Sequence, residues 1–557
     1  MLKRFSKDSV LFCVAIGAVV TFAFLVRLYR IELGLPYIYH WDEPQTAGTA
    51  LQMLKTGTLN PHFFNYGSLP IYIAYFVDIF HYLYLMGQPE TANAYMTALS
   101  EIKTWADTQF GWTISHPSFY YWNRFVNVLF GVGSILLTYQ VSKILFNKKW
   151  IALAAAFFLS CVASHVEYSA IISPDMSVVF FVLTVTLCSL KFLNHGKTKY
   201  LILSLVFSGC AMATKYNSAL LVMLPLLAVL LRYVSSRQTF DGKWLVMVPL
   251  IPVATFFVCM PYAFLDSASF LSGLGFELRH YKVLGHDPYT SIPGIRHIRF
   301  QFQAFVDNIG FLGVVVSAVG LLAAIRKPQL LFVLIFPLVY FFYMTTMKVN
   351  FHRNFVLIYP FFAILYGAAL AVFYSSIEWI LIRLKIVTVQ DRTKLKILCL
   401  ILPILLTVYV ARMASTEWVK AQEIKNSHDS RSLLVKKINS LGATPMVYIP
   451  NEIRMHAQDL RKLKYPYKLV ALETLFQCAD IANGSIAIIP AQLEPGGPGD
   501  DKLAALYPKV MATVQTSSAR LQAGSGVTRL SLFSVDPKLF VFDAPTLAAC
   551  EPKRALK

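Results

Sequence analysis

Residues 10–29 read VLFCVAIGAVVTFAFLVRLY, an almost unbroken apolar run that begins just after Lys3, Arg4 and Lys7. The hydrocarbon core of a bilayer needs about twenty such residues when they form a helix. A cleaved signal peptide has a shorter apolar segment followed by a small-residue site of the A-x-A type, and this run has neither feature. The run therefore predicts a retained first transmembrane helix, with the basic N-terminus in the cytoplasm.

The composition of the whole chain agrees with a membrane protein. Hydrophobic residues make up 56% of the 557 residues, charged residues only 14%, and the mean hydropathy is +0.55. A soluble domain carries about a quarter charged residues. We therefore predict an α-helical polytopic membrane protein. Further runs that suit a span lie at 122–143, 151–169, 175–194, 200–214, 217–233, 244–263, 305–325, 329–347, 355–380 and 397–413, which gives about eleven transmembrane helices.

The loop charges predict the topology of these spans. The short loops that would face the cytoplasm are consistently rich in lysine and arginine, as the positive-inside rule requires. An odd number of spans then places the C-terminal tail on the outer side. We predict a transmembrane domain at 1–413 and an extracytoplasmic domain at 414–557. Short β-type runs at 446–449, 469–472 and 485–489 indicate a small α/β fold for the tail.

The outer segment 30–120 is too long to be a simple connector. Residues 69–78 have a helical pattern, but Asp78 and His81 interrupt the apolar run, so we predict interfacial helices, with a span as the alternative. The net charge of +20 fits loop orientation and contact with membrane lipids. Nucleic acid is not an expected partner, because most of the chain must lie in lipid.

Two adjacent carboxylates, Asp42 and Glu43, follow the first span within YIYHWDEP at 37–44. Acidic side chains at a membrane surface are costly unless they are hydrated, paired or bound to a cation. Neighbouring acids also raise one pKa of the pair, which suits a proton acceptor. A solvated loop is the alternative for the pair alone. The nearby stretch HFFNYGSLP at 62–70 mixes aromatic and hydrogen-bonding residues, as a carbohydrate-facing surface would, and favours a functional role.

The sequence resembles the polyprenyl-phosphate-dependent glycosyltransferases of the GT-C fold, which include protein O-mannosyltransferases and bacterial aminoarabinose transferases. The resemblance covers roughly residues 10–380 and rests on the order of short motifs in outer loops. The motifs are Asp42-Glu43, GTLNPHFFNY at 57–66, SLP at 68–70, SPD at 173–175, TKYN at 214–217 and PYAFLD at 261–266. It implies an enzyme whose leaving group is the polyprenyl phosphate of a lipid-linked sugar donor.

Such an enzyme must deprotonate an acceptor hydroxyl and neutralise charge on the departing phosphate. The resemblance implies Asp42 as the base, Glu43 as the group that orients it, and Asp175 near the reaction centre. We predict that the donor phosphate binds Lys215, Tyr216, His352 and Arg353. The predicted contacts to the acceptor or the sugar are His62, Asn65 and Tyr66.

These residues also have ordinary structural interpretations. A lysine between two apolar runs, such as Lys215, can snorkel to the interface, and Arg353 can anchor a span. The SPD motif is typical of a helix N-cap, and Glu43 is alternatively a solvated or supporting acid. No cofactor is certain from the sequence. A divalent cation, Mg²⁺ or Mn²⁺, would have Asp42 and Asp175 as ligands.

Missing motifs narrow the function further. The sequence has no D-x-D motif and no glycine-rich phosphate loop, which argues against a nucleotide-sugar or NTP enzyme. We predict an inverting, single-displacement glycosyltransferase of the plasma (bacterial inner) membrane that uses a lipid, glycan or protein acceptor. The alternative is a transporter or flippase of lipid-linked substrates, which would need broken helices in matching halves. A non-catalytic scaffold that binds through its tail is a third interpretation.

Overall fold

The computed structural model of the chain describes residues 7–40, 42–88, 99, 102, 116–236, 242–286, 289–384, 392–426, 428–440, 446–453, 455–471, 485–490, 521–523 and 539–543. Its contacts divide the chain into two compact units. The first unit comprises residues 1–31, 56–81 and 120–423, and the second comprises 32–55, 82–119 and 424–557. The first unit thus holds most of the predicted spans, and the second holds the tail with two segments of the long outer loop.

Helices dominate the described residues. In chain order they are α1 (Lys7–Leu28), α2 (Thr49–Thr56), α3 (Leu69–Met86), α4 (Pro117–Phe146), α5 (Lys149–Ser160), α6 (Ala163–Tyr168), α7 (Pro174–His195), α8 (Thr198–Thr214), α9 (Met223–Ser236), α10 (Lys243–Cys259), α11 (Tyr262–Leu265), α12 (Ser267–Arg279), α13 (Ile295–Leu322), α14 (Pro328–Thr345), α15 (Tyr359–Arg383), α16 (Arg392–Asn426), α17 (Ser430–Ile438) and α18 (Ala457–Arg461). Short 3₁₀ helices at Tyr216–Val222 and His352–Ile358 lead into α9 and α15.

Nine helices of the described residues are long and apolar enough to cross a membrane, and α5, α8 and α10 are shorter apolar helices. Every predicted span coincides with one of these helices, although the run at 151–169 is divided between α5 and α6. The chain is therefore a multi-pass membrane protein. Helix α3 also has the length and composition of a transmembrane span. Both interpretations of this segment, an interfacial helix and a span, therefore remain.

Helix α7 is the central helix of the first unit. Its start follows from the sequence, because Ser173 caps the Asp175 N–H at 3.4 Å and Pro174 occupies the first turn, where no N–H partner is needed. It ends at Gly196, which adopts the left-handed conformation (φ 66°) that glycine tolerates. Most of its residues are buried, and it packs against α8. The acidic end of α7 is thereby held firmly in the protein interior.

The second unit contains a five-stranded sheet. Its strands are β1 (Val447–Pro450), β2 (Tyr467–Val470), β3 (Ile486–Pro490), β4 (Leu521–Ala523) and β5 (Leu539–Asp543), in the spatial order β2-β1-β3-β5-β4. The β2-β1-β3 part is parallel, with Val447 opposite Tyr467 and Ile486, and β5 pairs antiparallel with β3 and β4. Residues of β1 and β3 bury apolar side chains together with those of α17. The predicted small α/β fold of the tail is confirmed, while the boundary at residue 413 stays a prediction.

The segment 32–55 packs on C-terminal residues of the same unit. The Tyr37 hydroxyl donates to Asp459 Oδ2 at 2.9 Å and accepts the His456 N–H at 3.0 Å. The Arg431 guanidinium lies 3.5 Å from the centre of the Tyr37 ring, and the Tyr39 hydroxyl donates to Asp429 at 2.6 Å. These contacts hold the segment that carries the acidic pair against the C-terminal α/β residues.

Candidate active site

Lys215 lies at a break between two apolar helices of the first unit. Helix α8 ends at Thr214, and Lys215 has an extended backbone (φ −151°, ψ 119°) before the 3₁₀ helix at Tyr216–Val222 begins. Its N–H still donates to the Ala211 carbonyl at 2.9 Å, which satisfies the last turn of α8. This break turns the lysine side chain away from the helix axis and into the interior of the unit.

Two oxygen acceptors hold the Lys215 ammonium there. Its Nζ lies 2.7 Å from Asp175 Oδ1 and 2.7 Å from Asn354 Oδ1. The side chains of Lys215 and Asp175 are only 12% and 4% exposed, so both charges are removed from solvent. Buried charges are tolerated when they are paired in this way. The contact shows that Asp175 does more than begin α7, since the cap itself is Ser173.

The loop that precedes α3 joins this pair. The Tyr216 hydroxyl lies 2.8 Å from the Phe64 carbonyl and 2.9 Å from the Tyr66 carbonyl, and its one proton is shared between them. Gly67 packs so closely on the end of α8 that a Cβ there would collide with the Ala213 carbonyl. These two contacts bring the HFFNYGSLP stretch to the Lys215 break.

A cavity of about 240 Å³ opens at this point in the first unit. Its polar lining includes two of the predicted donor residues, Lys215 and Tyr216, and two of the predicted sugar contacts, Asn65 and Tyr66. Much of the remaining wall is apolar. The other residues that line the cavity are Asn217, Leu274, Glu277, Leu278, Tyr281, Lys282, Tyr343, Met344 and Met347. Four of the predicted donor and sugar residues thus meet at one cavity.

Helix α12 forms one wall of the cavity, and Asp266 fixes its start. Asp266 Oδ1 accepts the Ser269 N–H at 3.4 Å, and Oδ2 accepts from Asn60 Nδ2 at 2.8 Å. These hydrogen bonds hold the pKa of Asp266 below its ordinary value. His62 Nδ1 lies 3.7 Å from the same carboxylate, but the His62 side chain is 68% exposed and is not part of the cavity lining. The two motifs at 57–66 and 261–266 are therefore neighbours.

Two cavity residues, Tyr281 and Asn217, carry further hydrogen-bonding groups. Burial raises the pKa of Tyr281, so its hydroxyl keeps its proton in the ordinary pH range. Asn217 Nδ2 donates to Tyr340 Oη at 3.0 Å. Among the described residues, nothing hydrogen-bonds Asn217 Oδ1 or Asp175 Oδ2, although both atoms are buried. Buried acceptors without a protein partner are unusual, and they suit the hydroxyl groups of a ligand.

The other two predicted phosphate residues lie outside the cavity lining. The His352 ring contacts Gln301 Oε1 at 3.0 Å through Nδ1 and Tyr359 Oη at 2.7 Å through Nε2. The Arg353 guanidinium lies 4.1 Å from the centre of the Phe351 ring. Both ring nitrogens of His352 therefore contact other protein side chains. Phosphate binding by His352 or Arg353 stays a prediction.

The acidic pair belongs to the second unit. Asp42 is 6% exposed and Glu43 is fully buried, and the Asp42 N–H donates to His40 Nδ1 at 3.3 Å. No group of three or more His, Cys, Asp or Glu side chains suited to a metal ion occurs in the described part of the chain. The base role of Asp42, the supporting role of Glu43 and the metal role of Asp42 and Asp175 stay predictions.

Residues 122–262, which include Asp175 and Lys215, match the family described as dolichyl-phosphate-mannose-protein mannosyltransferase. This match lies within the stretch that carries the resemblance to the polyprenyl-phosphate-dependent glycosyltransferases of the GT-C fold. The resemblance inferred from the short motifs is thereby confirmed, and the chain is a glycosyltransferase. No curated protein sequence matches it.

Solved structures similar to this glycosyltransferase come from bacteria, archaea and yeast. ArnT from Cupriavidus metallidurans, bound to undecaprenyl phosphate, is 14% identical, with 97% of this chain and 99% of that chain covered and a TM-score of 0.48. The oligosaccharyltransferase of Archaeoglobus fulgidus is 10% identical, with coverages of 88% and 71% and a TM-score of 0.45. The S. cerevisiae protein O-mannosyltransferase complex Pmt1-Pmt2 is 17% identical, with coverages of 50% and 38% and a TM-score of 0.34.

Sequence reasoning missed two residues that line the cavity of this glycosyltransferase, Glu277 and Tyr281, and their buried neighbour Asn354. Glu277 lies in α12, and Tyr281 lies just after its end. Asn354 directly follows the predicted pair His352 and Arg353 in the sequence. A neutral amide or hydroxyl in an apolar sequence gives a weaker signal than an unpaired charge does.

Proposed function

We propose that the chain transfers a sugar from a polyprenyl-phosphate donor to a lipid, glycan or protein acceptor at the extracytoplasmic face of the bacterial inner membrane. The observation that carries this proposal is the Lys215 ammonium, which lines the cavity of the first unit while Asp175 and Asn354 hold it. An ammonium has three N–H donors. Among the described residues, two acceptors lie within hydrogen-bonding distance, so the third donor is available to a phosphate oxygen.

The wall of the cavity suits an amphipathic ligand. Leu274 and Leu278 of α12 and Met344 and Met347 at the end of α14 supply apolar surface. Methionine adapts its shape readily to a flexible hydrocarbon chain. A polar head that contacts Lys215 and a prenyl tail along this surface together match the chemistry of a prenyl phosphate.

The polar atoms that lack protein partners support sugar binding. The unpartnered Asn217 Oδ1 lies in a residue that lines the cavity together with Asn65 and Glu277. Carboxamide and carboxylate oxygens accept hydrogen bonds from hydroxyl groups. We assign these side chains to the sugar of the donor, and we keep the exposed His62 as a contact to the acceptor.

The reaction is a single displacement with inversion at the anomeric carbon. The acceptor hydroxyl oxygen attacks that carbon, the bond from carbon to phosphate oxygen breaks, and the hydroxyl proton passes to Asp42. Glu43 orients Asp42, and Lys215 stabilises the charge that grows on the departing phosphate. The departing oxygen becomes part of a phosphate monoester dianion, whose conjugate acid has a pKa of about 6, so no protonation of the phosphate is required.

Transfer assays on the purified full-length protein test the chemistry, with polyprenyl-phosphate donors that carry pentoses or hexoses. We expect Asp42→Asn to abolish transfer and leave the thermal unfolding midpoint close to that of the wild type. Glu32→Gln, which changes an exposed acid of the same unit, is the matched control and should keep full activity. Full activity of Asp42→Asn would remove Asp42 as the base.

The orientation is tested separately. With a cytoplasmic N-terminus and an extracytoplasmic C-terminal domain, a tag after Lys557 should be digested by protease in intact spheroplasts, while a tag before Met1 should be protected. The opposite pattern would contradict transfer at the outer face.

A further inference from the structure

Asn354 is a buried amide that contacts two polar residues of the cavity wall. It lies in the 3₁₀ helix at His352–Ile358 and is 1% exposed. Its Oδ1 accepts a hydrogen bond from Lys215 Nζ at 2.7 Å. Its Nδ2 donates to Tyr281 Oη at 3.0 Å, and the Tyr281 hydroxyl donates to Oδ1 at 3.3 Å. A single carboxamide therefore orients both the ammonium and the hydroxyl.

The main chain of Asn354 is fixed independently of its side chain. Its carbonyl accepts a hydrogen bond from Tyr340 Oη at 3.0 Å, and Asn217 Nδ2 donates to the same hydroxyl oxygen at 3.0 Å. Asn354 is thus connected through Tyr340 to a third cavity residue. Because Tyr340 is fully buried, this connection has little freedom to move.

The hydrogen bonds of Asn354 determine which N–H and O–H donors of Lys215 and Tyr281 can bind a ligand. Oδ1 of Asn354 is already engaged with Lys215 at the shorter distance, and Nδ2 supplies a proton to Tyr281. The Tyr281 hydroxyl makes only a long contact of 3.3 Å to Oδ1, so it can rotate and donate its proton to an oxygen atom in the cavity, as can the third N–H of Lys215. Two donors from separate segments of the chain thus line the same cavity.

We propose that Asn354 is a positioning residue that aligns Lys215 and Tyr281 as a pair of donors to one phosphate group. The inference rests on the proposed function, because it assigns the phosphate of the lipid ligand to this cavity. Asn354 does not touch the ligand in this scheme. It acts by keeping the ammonium and the hydroxyl at the geometry that a phosphate needs.

Only an amide fulfils both halves of this role at this position. Asn354→Leu keeps the number and branching of the heavy atoms but removes the acceptor for Lys215 and the donor to Tyr281. Asn354→Asp keeps the shape and the acceptor, but it loses the donor and places a second carboxylate beside the Lys215–Asp175 pair. The two variants therefore impair phosphate binding by different routes.

The test compares two probes on the full-length protein in lipid nanodiscs, a polyprenyl phosphate and the polyprenol of the same chain length. The dissociation constant of the polyprenol divided by that of the polyprenyl phosphate measures phosphate recognition alone. We expect Asn354→Leu and Asn354→Asp each to lower this ratio about tenfold, since a hydrogen bond to a charged group has that magnitude. Polyprenol affinity should not change. The matched control is Asn123→Leu, another buried amide of the same unit, which donates to Asp78 at 2.7 Å and should keep the wild-type ratio.

Several results would overturn the proposal. A wild-type ratio in both Asn354 variants would show that the amide does not align the donors. An equal loss of affinity for phosphate and polyprenol would show a general packing role. Asn354→Asp keeps the shape of the wild-type side chain, so it carries the test if Asn354→Leu does not fold. If the wild type itself binds both probes equally, the assignment of phosphate to this cavity fails, and the proposed function fails with it.

Discussion

Replacing Lys215 with methionine separates the charge of this residue from its packing. Methionine keeps much of the length of the lysine side chain but carries no proton to donate. The change leaves Asp175 buried without its partner, which is expected to cost about 3–5 kcal/mol of stability. It also removes a charged hydrogen bond to the donor phosphate, worth about 1.5–3 kcal/mol, or about 10- to 150-fold in donor affinity.

The double variant Lys215→Met with Asp175→Asn distinguishes these two effects. The neutral amide at 175 no longer needs a cationic partner, so much of the lost stability should return. Donor use should stay weak, because no ammonium is present to bind phosphate. Thermal unfolding midpoints in detergent report the first effect, and the donor KM at a fixed acceptor concentration reports the second.

Two outcomes would refute this reasoning. The first is a single variant, Lys215→Met, whose donor KM stays within about twofold of the wild-type value. The second is a double variant that regains donor use together with stability, since this would show that Lys215 acts through packing alone. Acceptor KM serves as the internal control and should change little in either variant.

Three further perturbations probe the surroundings of the site. Gly67→Ala should lower both the unfolding midpoint and the transfer rate, because the new methyl group meets the Ala213 carbonyl; an unchanged midpoint would contradict the close approach. Hydrogen bonds lower the folded-state pKa of Asp266, so its stabilising contribution is present above pH about 4 and is lost as the pH falls through that lowered pKa. In Asp266→Asn the unfolding midpoint should therefore fall less steeply than in the wild type as the pH is lowered below about 4. The same pH dependence in both proteins would show that Asp266 does not contribute to acid sensitivity. Tyr37→Phe removes the hydroxyl that contacts Asp459, a loss of about 1–3 kcal/mol that should speed amide hydrogen exchange in residues 32–55 but not in α7.

The membrane helices were predictable because lipid imposes a simple requirement on sequence. A span needs a continuous apolar run of defined length, and the runs that meet this condition coincide with helices of the structure. Lys215 was predictable for the same reason, since a cation between two apolar runs needs a partner. The Ser173-Pro174-Asp175 start of α7 followed from local capping chemistry.

The partners of these residues were not predictable from one sequence. Asp175 and Asn354 lie 40 and 139 positions away from Lys215, and no local pattern connects them. Asn354 and Tyr281 are neutral, so their burial in an apolar region carries no obvious cost to notice. Helix α12 carries no motif of its own, so the sequence did not indicate that it forms a wall of the cavity.

The packing of Tyr37 and Tyr39 on residues in and next to α17 and α18 has a consequence for any attempt to truncate this protein. A truncation after α16 would remove Asp429, Arg431, His456 and Asp459, and with them the supports of Tyr37 and Tyr39. The C-terminal region therefore cannot be exchanged independently of residues 32–55. A chimera that imports another C-terminal region must import its matching loop after the first helix as well, because the two segments fold as one piece.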